Sequence, residues 1–587
     1  MQAVKADVVV VGAGGAGLRA AIAAAEHDPR LTIALVSKVL PMRSHTVAAE
    51  GGAAGVTRGD DSLESHFNDT VSGGDWLCDQ DVVEYFVAHC AEELVQLEHW
   101  GCPWSRQPDG RINTRFFGGM STQRTWFAAD RSGFHILHTL FQTSLKYPSI
   151  RRFDEFFCAD LIVEDGRARG VLAIDIASGE WLLIECAAVV LATGGAGRVY
   201  RQNTNAGTVT GDGMGLAFRH GAPLRDMEFV QWHPTCLPGT GILMTEACRG
   251  EGAILVNKDG YRYLQDYGLG PLDPWPRAKA MELGPRDRLS QAFWHEMRKG
   301  RTIETPQGPA VHLDLRHLGA QKIRERLPLI TEAAKTFAGI DALSEPIPVC
   351  PAVHYTMGGI YTNVRCETPL AGLYAAGECA SVGIHGANRL GSNSLVEIVV
   401  FGRVAGESAA DYARSAHAVR DVHASAEASA RRFSSLLTNQ DGERLATLRD
   451  EMRDAMESGV GIYRDGQGIR AACAKLGELR DRYRRGVKLD DRGRAFNTEW
   501  LTAIELGFML EVAEAMAHSA LARRESRGAH MRLDGFEARD DDNFLKHTLA
   551  QRVGEGLLRI EYQPVTITKS PPRARHYGGA GKQAVMT

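Results

Sequence analysis

The sequence predicts an α/β fold in which a Rossmann-like dinucleotide-binding domain is interrupted by a second domain and followed by a helical domain and a short C-terminal domain. Two observations lead to this prediction. Apolar strands run into glycine turns at three distant places, near Gly12, Gly194 and Gly377, which implies one nucleotide domain interrupted by an insertion. After about Arg414, charged, alanine-rich and arginine-rich segments with helical spacing dominate the chain.

The N-terminal segment predicts one βαβ unit. The run from Asp7 to Val11 is typical of a strand buried on both faces, because its apolar residues are continuous and do not alternate with polar ones. An alanine-rich helix is predicted from Leu18 to about Glu26, and a second strand from Thr32 to Val36. The glycine turn lies between the first strand and the helix, where the chain of a nucleotide-binding unit approaches its ligand.

That turn carries the Gly-x-Gly-x-x-Gly spacing. Its first glycine permits a tight turn, its second lets the backbone approach a pyrophosphate, and its third lets the helix pack on the strand. With a strand before it and a helix after it, dinucleotide binding is a better interpretation than a structural turn. NAD and FAD both remain open, although Ser37 and Lys38 end the second strand where an NAD site usually has an acid. The predicted turn residues are Gly12, Ala13, Gly14, Gly15, Ala16 and Gly17.

The rest of the chain divides by composition. Strands at 187–192 and 372–376 belong to the nucleotide domain, and the insertion between them has a polar loop around 268–277 and a helical stretch at 318–338. Helical spacing runs from Arg420 to Met456 and from Thr502 to Arg524. The tail has short strands at 557–562 and 565–568 and a mobile Pro/Gly/Lys-rich end. The predicted domains are 1–234 with 353–414, the inserted 235–352, the helical 415–544 and the C-terminal 545–587.

Composition excludes several function classes. A net charge of -5 gives no electrostatic reason to bind nucleic acid or an anionic membrane. No stretch approaches the ~18 apolar residues of a membrane span, and the apolar run at Ala6 lacks a signal-peptide cleavage pattern, so we expect any membrane contact to come through a partner. The 11 cysteines form no C-x-x-C pair, which predicts reduced thiols and no metal site.

A polar loop with a histidine follows the βαβ unit. Taken alone, His45 in Ser44-His45-Thr46 is best interpreted as a solvated side chain. The whole segment from Met42 to Gly52, however, resembles the flavin-attachment segment of fumarate reductase and succinate dehydrogenase flavoproteins. The resemblance covers nearly the whole chain, and it is strongest to the bacterial four-subunit quinol:fumarate reductase type. Its further motifs lie at 73–78, 124–130, 210–214, 227–234, 281–287, 354–359, 385–395 and 525–530.

The resemblance implies a cofactor and a set of residues that bind it. FAD would be bound covalently through the ring of His45, and the inserted segment would be an α+β capping domain over an FAD-binding domain. Ser37 and Lys38 would lie along the adenosine, and Asp212 and Glu378 would hold polar groups of the flavin. The residues expected near the isoalloxazine ring are Ser44, Thr46, Ala49, Glu50, Gly51, Gly52, His354, Tyr355, Arg389, Gly391, Ser392, Ser394 and Leu395.

The resemblance also implies the reaction, the reduction of fumarate by hydride from the flavin. Fumarate is a dianion and needs cations and donors. Arg389 would grip one carboxylate bidentately, assisted by His233, His354 and Thr245. Arg286 would protonate the second alkene carbon, with its proton replaced through Glu246 and Arg249. Since arginine is normally always protonated, the alternative is that Arg286 acts only as an electrostatic clamp.

Other readings of the resemblance stay open. Succinate dehydrogenase runs the same chemistry backwards, and Glu50 favours fumarate reductase because that position is typically glutamine in the dehydrogenases. L-Aspartate oxidase binds flavin noncovalently, which the His45 motif argues against, and a non-catalytic assembly flavoprotein would have lost site residues that are all present. Trp232 and Cys236 depart from the tyrosine and glycine usual in the family. The implied partners are an iron–sulfur protein subunit and quinone-binding membrane anchor subunits, on the cytoplasmic face of the inner membrane.

Overall fold

The computed structural model describes residues 1–269, 281–415, 422–554 and 557–575. Most of the predicted polar loop at 268–277, the start of the predicted helix at Arg420 and the predicted mobile end after 575 lie outside these residues. The α-helices, numbered α1 to α15, are Gly15–His27, Leu63–Gly73, Gln80–His99, Ser132–Ser144, Asp212–Arg219, Glu246–Gly250, Arg286–Arg298, Ala320–Arg326, Pro328–Ala338, Asn393–Ser415, His423–Ser434, Leu445–Gly459, Gly466–Arg485, Thr498–Ala522 and Asp541–Phe544.

The strands are short and are numbered in the same way. Strands β1 to β26 are Gln2–Lys5, Val8–Val11, Ile33–Ser37, Ala53–Ala54, Thr114–Arg115, Thr125–Trp126, Ile150–Asp154, Phe156–Glu164, Arg167–Asp175, Trp181–Glu185, Ala188–Leu191, Leu224–Arg225, Val230–Cys236, Ile254–Val256, Ile303–Thr305, Gly308–Asp314, Ile347–Thr356, Gly359–Tyr361, Leu373–Ala375, Ala380–Ser381, Glu443–Arg444, Tyr463–Arg464, Val487–Lys488, Met531–Arg532, Lys546–Val553 and Leu557–Pro564.

A parallel sheet with the order β19-β11-β2-β3-β7 lies at the centre of the nucleotide-binding part. The four valines of β2 are buried, because the strand is covered on both faces and sits between β11 and β3. Helix α1 follows β2 and packs against α10. The predicted βαβ unit is therefore confirmed, and the strands predicted at 187–192 and 372–376 are β11 and β19 of the same sheet.

The inserted segment has a hydrophobic core of its own, drawn from residues between Leu237 and Cys350. It joins the nucleotide-binding part through β13 and β17, which pair antiparallel. Its predicted helical stretch at 318–338 forms two helices, α8 and α9. Pro328 begins the second one, since a proline is tolerated in the first helical turn but cannot continue a helix from its interior. The domain boundaries stay predictions.

The helical region differs from the prediction in two places. The single helical run expected from Arg420 to Met456 was wrong, because α11 ends at Ser434 and β21 precedes α12. A polar turn from Thr438 to Gly442 lies between them and interrupts the apolar spacing. Helix α13 was not predicted. Helix α14 confirms the second helical run, and the Asn497 side chain caps its N-terminus by accepting from the Trp500 N–H at 2.8 Å.

The tail contributes to a sheet rather than forming an appendage. Strands β25 and β26 make a hairpin, and β25 pairs with β12 in a sheet with the order β20-β18-β12-β25-β26. The predicted strand at 557–562 is confirmed within β26. The strand predicted at 565–568 was wrong: this segment is bound by the side chains of Asp79 and Gln80 instead of by a neighbouring strand. Among the described residues, no helix is both long and apolar enough to cross a membrane.

Candidate active site

The carboxyl ends of the parallel strands open on a cavity of about 380 Å³. It lies where the connections after β2 and β11 diverge, the position at which open α/β sheets bind ligands. The Gly12 turn, Ser37 and Lys38 line this cavity, and so do His233 of β13 and Arg286 of the inserted segment. One cavity therefore joins the predicted cofactor residues to the predicted substrate residues.

The glycine turn leaves room for a ligand against the backbone. Gly12 has φ of +105°, which glycine adopts without strain, and Gly14 precedes α1 at its N-cap without a side-chain hydrogen bond. A Cβ at Gly14 would meet nothing closer than 3.4 Å, whereas a Cβ at Gly17 would come within 1.7 Å of the Gly12 carbonyl oxygen. Thus Gly17 serves helix–strand packing and does not line the cavity. The uncapped helix N-terminus fits the pyrophosphate of a dinucleotide.

Lys38 lies in the cavity wall with its charge already balanced. Its Nζ contacts Asp212 Oδ2 and Glu505 Oε1 at 2.6 Å each and Thr210 Oγ1 at 2.9 Å. Burial alone would lower the pKa of Lys38, but the carboxylates of Asp212 and Glu505 outweigh it and raise the pKa. Asp212 was expected to hold a polar group of the flavin; in the structure it lines the cavity with its carboxylate paired to Lys38.

His45 faces the cavity as a neutral imidazole. It begins a short 3₁₀ turn, and burial lowers its pKa to about 4. The Ala206 N–H donates to Nδ1 at 3.4 Å, and the Asn205 amide lies 3.4 Å from Nε2. Helix α4 supports the segment from behind through Gly133, whose N–H donates to the Ala49 carbonyl at 2.6 Å. An uncharged ring with a free electron pair is the form needed for bonding to carbon.

Two guanidinium groups converge on one uncharged side chain. The Gln231 Oε1 atom accepts from Arg286 Nη1 at 3.0 Å and from Arg389 Nη2 at 3.1 Å. A second Arg389 nitrogen, Nη1, donates to Ser394 Oγ at 2.8 Å, while its Nε is buried without a hydrogen-bond partner among the described residues. Burial, together with the nearby charge of Arg286, lowers the pKa of Arg389 to about 10. This arrangement concentrates positive charge at the cavity wall.

Two histidines stand beside these arginines. The rings of His233 and His354 lie 5.1 Å apart, and burial followed by the charge of Arg286 holds both pKa values well below the ordinary histidine value. The Thr235 N–H donates to His233 Nδ1 at 3.3 Å, so the proton of the neutral ring resides on Nε2. That Nε2 atom is buried without a partner within the described part of the chain. His233 thus offers an unused donor in the cavity wall.

Behind Arg286 lies a short chain of charged groups. Arg286 Nε donates to Glu246 Oε2 at 2.9 Å, Arg249 Nη2 lies 3.5 Å from the same oxygen, and the Gly118 N–H donates to Oε1. Burial alone would raise the pKa of Glu246, but the charges of Arg286 and Arg249 outweigh it and hold the pKa below its ordinary value. Glu246 lines the cavity, whereas Arg249 lies behind it. The arrangement can pass a proton toward the cavity.

Glu50, which lines the same cavity as His45, has a carboxyl group with a raised pKa. Burial, and next the charge of Asp130, raise its pKa to about 8, and Oε2 has no hydrogen-bond partner among the described residues. The guanidinium of Arg115 binds the carbonyl oxygens of Glu50 and Gly51 rather than the Glu50 carboxyl group. Burial therefore favours the uncharged form of the Glu50 carboxyl group.

The structure brings together nearly all the residues that the sequence predicted for the site. Gly17, Arg249 and Gly391 are the exceptions, and Gly391 borders a smaller cavity beside Arg286 instead. Sequence reasoning missed Gln231 and Asn205, because an uncharged amide gives no chemical signal of its own. The predicted residues that line the main cavity are Gly12, Ala13, Gly14, Gly15, Ala16, Ser37, Lys38, Ser44, His45, Thr46, Ala49, Glu50, Gly51, Gly52, Asp212, His233, Thr245, Glu246, Arg286, His354, Tyr355, Glu378, Arg389, Ser392, Ser394 and Leu395.

Comparison with known proteins agrees with this geometry. The family described as "FAD binding domain" matches residues 7–395, and that described as "Fumarate reductase flavoprotein C-term" matches residues 449–577. The fumarate reductase flavoprotein subunit of Proteus vulgaris is 63% identical over 99% of this chain and 98% of its own length. A mutant of Escherichia coli quinol fumarate reductase superposes with a TM-score of 0.96 at 62% identity, over 99% of this chain and 100% of that one. Another solved structure, of quinol–fumarate reductase with menaquinol, superposes with a TM-score of 0.95 at 62% identity, over 98% of this chain and 100% of that one.

Proposed function

The chain belongs to the fumarate reductase flavoprotein family, and from that premise we propose that it is the catalytic flavoprotein subunit of a quinol:fumarate reductase. The observation that carries the proposal is the convergence of Arg286 and Arg389 on Gln231, in the wall of the cavity that His45 and the Gly12 turn also line. A site with two guanidinium groups and an adjoining dinucleotide turn suits a small dianion beside a redox cofactor.

Unsatisfied donors support a dianionic substrate. Arg389 Nε and His233 Nε2 are buried without partners in the described part of the chain, and each such group costs about 1–3 kcal/mol unless a ligand accepts its hydrogen bond. The four carboxylate oxygens of fumarate would accept from these atoms, from Thr245 and from His354. Because both histidines are neutral, they donate without adding charge, and the arginines supply the cationic complement.

FAD fits the remaining part of the cavity. The Gly12 turn and the N-terminus of α1 would hold its pyrophosphate, and Ser37 and Lys38 would lie along its adenosine. His45 would form the covalent link, since its imidazole is neutral and faces the cavity. When bound, FAD supplies the two-electron hydride chemistry that the protein's own side chains lack. The segment at Ser392, Ser394 and Leu395 would supply backbone contacts to the ring.

Arg286 would complete the reduction by giving a proton to the second alkene carbon. Its Nε–H···Oε2 contact with Glu246, and the contact of Glu246 with Arg249, provide the route by which the lost proton is replaced. Glu246 is suited to this because it is held ionised between two guanidinium groups and can accept a proton from one side as it releases one to the other. The competing role for Arg286, a fixed positive clamp, needs no such route.

Succinate dehydrogenase is the second candidate, since the same site can run the reaction backwards. Glu50 favours fumarate reduction: a carboxyl group beside the ring, once ionised, disfavours the anionic reduced flavin and makes it a stronger reductant. Because the flavin exchanges electrons in pairs while quinols deliver them one at a time, we propose an iron–sulfur protein subunit and quinone-binding membrane anchor subunits as partners. The chain would then lie on the cytoplasmic face of the cell membrane.

The decisive experiment is turnover by the purified, flavin-loaded protein with a reduced dye as electron donor. We expect fumarate-dependent oxidation of the dye, with fumarate reduction faster than succinate oxidation under matched conditions. Acid precipitation should leave the flavin attached to the protein. Absence of fumarate turnover would exclude the proposed function, faster succinate oxidation would favour the dehydrogenase, and release of the flavin by acid would exclude the link to His45.

A further inference from the structure

The last described residues form an ordered strap across the nucleotide-binding part. Residues 565–575, here called the C-terminal strap, follow β26 and run along the start of α3. Gln80 binds the strap most extensively: its Oε1 accepts from the N–H groups of Thr568, Lys569 and Ser570 at 2.9–3.1 Å, and its Nε2 donates to the Ser570 carbonyl at 2.6 Å. Gln80 is fully buried beneath the strap. The path of the strap is thus fixed by side-chain hydrogen bonds.

The strap ends in a guanidinium group that bridges two parts of the molecule. Arg575 Nη1 contacts Asp287 Oδ2 at 2.6 Å, and Nη2 contacts Asp287 Oδ1 at 3.2 Å and the Gly73 carbonyl oxygen at 3.0 Å. Asp287 belongs to the inserted segment, whereas Gly73 ends α2 of the nucleotide-binding part. Only 9% of the Arg575 side chain and 1% of the Asp287 side chain are exposed. The contact is a bidentate, buried ion pair, the geometry most favourable for such pairs.

Asp287 is the neighbour of Arg286, and both lie in the first turn of α7. Arg575 borders the same small cavity as Arg286 and Arg389, so the bridge ends directly behind the substrate wall. A buried carboxylate that loses its cationic partner is strongly destabilised, and α7 would shift to expose it to water. Such a shift moves Arg286 away from Glu246 and Gln231, because adjacent residues of one helical turn cannot move independently.

We propose that Arg575 is a positioning residue for the reaction: by clamping Asp287, the C-terminal strap holds the first turn of α7 against the nucleotide-binding part and aims Arg286 at the substrate. This inference rests on the proposed function of Arg286. It assigns a role in turnover to a residue nearly 300 positions away along the chain, outside every segment that forms the cavity.

The test compares Arg575→Gln with Arg573→Gln in the flavin-loaded holoenzyme. Arg573 is an exposed arginine of the same strap and serves as the matched control. We expect Arg575→Gln to lower kcat for fumarate by about ten- to a hundredfold, the usual effect of a misplacement near 1 Å, with KM changed less than about twofold. Arg573→Gln should keep both constants. Arg575→Lys retains the charge but loses the fork, so its kcat should fall between those of Arg575→Gln and the parent.

A double-mutant cycle isolates the ion pair. Asp287→Asn should lower kcat as Arg575→Gln does, and the two substitutions together should cost no more than either alone. The proposal would be overturned if the effects of the two substitutions on kcat were fully additive. It would also be overturned if Arg575→Gln kept the parental kcat, or if its activity fell only in proportion to its flavin content. If Arg575→Gln yields no flavin-loaded protein, Arg575→Lys decides: a raised KM with unchanged kcat contradicts the positioning role.

Hydrogen exchange separates this inference from the proposed function. Amides of α7 should exchange faster in Arg575→Gln than in Arg573→Gln, whichever substrate the enzyme uses. Unchanged exchange at α7 would overturn the clamp even if the enzyme reduces fumarate. Faster exchange in a protein whose parent form does not turn over fumarate would instead leave the clamp standing and refute the function.

Discussion

At the scale of single residues, the uncharged Gln231 side chain orients two charged ones, because its oxygen accepts hydrogen bonds from both Arg286 and Arg389. It is fully buried, and its amide NH₂ is fixed by Asn388 Oδ1 at 3.1 Å and by the Arg389 carbonyl at 2.9 Å. Its oxygen is therefore oriented toward Arg286 and Arg389, whose like charges would otherwise repel each other. Its role depends on the strand order that brings distant residues to it, so it could not be predicted from the residue type, although the 227–234 motif contains Gln231.

Replacing Arg286 distinguishes a proton donor from a clamp. We expect Arg286→Gln to lower turnover in both directions by far more than tenfold, which means a barrier raised by well over about 1.4 kcal/mol. Fumarate binding should change little, because the residues that bind the carboxylates remain: Arg389, His233, His354 and Thr245. Flavin difference spectra measure binding beside steady-state turnover. Arg288→Gln, an exposed neighbour on α7, is the control.

Arg286→Lys completes that comparison. A lysine lacks the planar fork and places its proton differently, so it should restore only a small part of the rate if Arg286 is the acid. Near-complete recovery by lysine, with weakened fumarate binding in Arg286→Gln, would identify an electrostatic clamp. More than about a tenth of the parental rate in Arg286→Gln would contradict proton donation.

Glu50 should act on the reaction only when it is ionised. With its pKa raised to about 8, its carboxyl group is neutral below that pH and negative above it. Glu50→Gln should therefore match the parent at pH 6 and shift the balance toward succinate oxidation at pH 9, where the parent alone carries the charge. The measurement is the ratio of the two dye-linked rates across this range, with Glu332→Gln, at an exposed site, as the control. An equal effect at pH 6 and pH 9 would contradict the shifted pKa.

At the scale of elements, the contact between β2 and α1 decides whether the cofactor end of the cavity can form. Gly17 meets the Gly12 carbonyl with no space for a side chain, so the strand and the helix approach as closely as backbones allow. The sequence predicted this because glycines at such spacing have a known steric purpose. It did not predict the turn that separates α11 from α12, since a polar surface helix and a polar turn have similar composition.

Gly17→Ala tests that contact. The added methyl group would lie 1.7 Å from the Gly12 oxygen, and both atoms are held by backbone, so β2 and α1 must separate. We expect loss of retained flavin and a fall in the free energy of unfolding on the order of 3 kcal/mol or more. Gly59→Ala, where a Cβ meets nothing within 4 Å, should keep its flavin and melting temperature. Full flavin retention in Gly17→Ala would contradict the role given to the turn.

At the scale of the whole molecule, buried charges join parts that are far apart in sequence. Arg523 contacts Glu228 at 2.6 Å and Glu525 at 2.8 Å, and Arg527 pairs with the same Glu525, all with fully buried side chains. Such pairs contribute little net stability but penalise any arrangement that separates them. The fold class and most residues of the cavity could be predicted from the sequence. These ion pairs and the C-terminal strap could not, because they form only when segments that are distant in sequence pack together.

The isolated chain should exchange electrons with soluble dyes only. FAD transfers a hydride, while quinols are oxidised one electron at a time, and the cysteines of this sequence lack the clustered spacing of iron–sulfur ligands. We expect dye-linked fumarate reduction without quinol oxidation in the single chain, and both activities once the full complex is assembled. A chain that oxidises quinol alone, at a rate comparable with the complex, would contradict the need for an iron–sulfur partner.

The pairing of the C-terminal hairpin sets an order for biosynthesis. The Thr548 N–H donates to Asp226 at 3.1 Å across 322 residues of chain. At roughly 5–20 residues per second, a ribosome needs on the order of 20–60 s to supply the second partner after the first. During that interval the nascent protein has strand β12 but neither the hairpin nor the strap. The residues that line the main cavity end at Ile398, so all of them are synthesised before the hairpin and the strap. A chain truncated before Arg575 would therefore have every residue of the cavity wall but would lack the guanidinium group that binds Asp287.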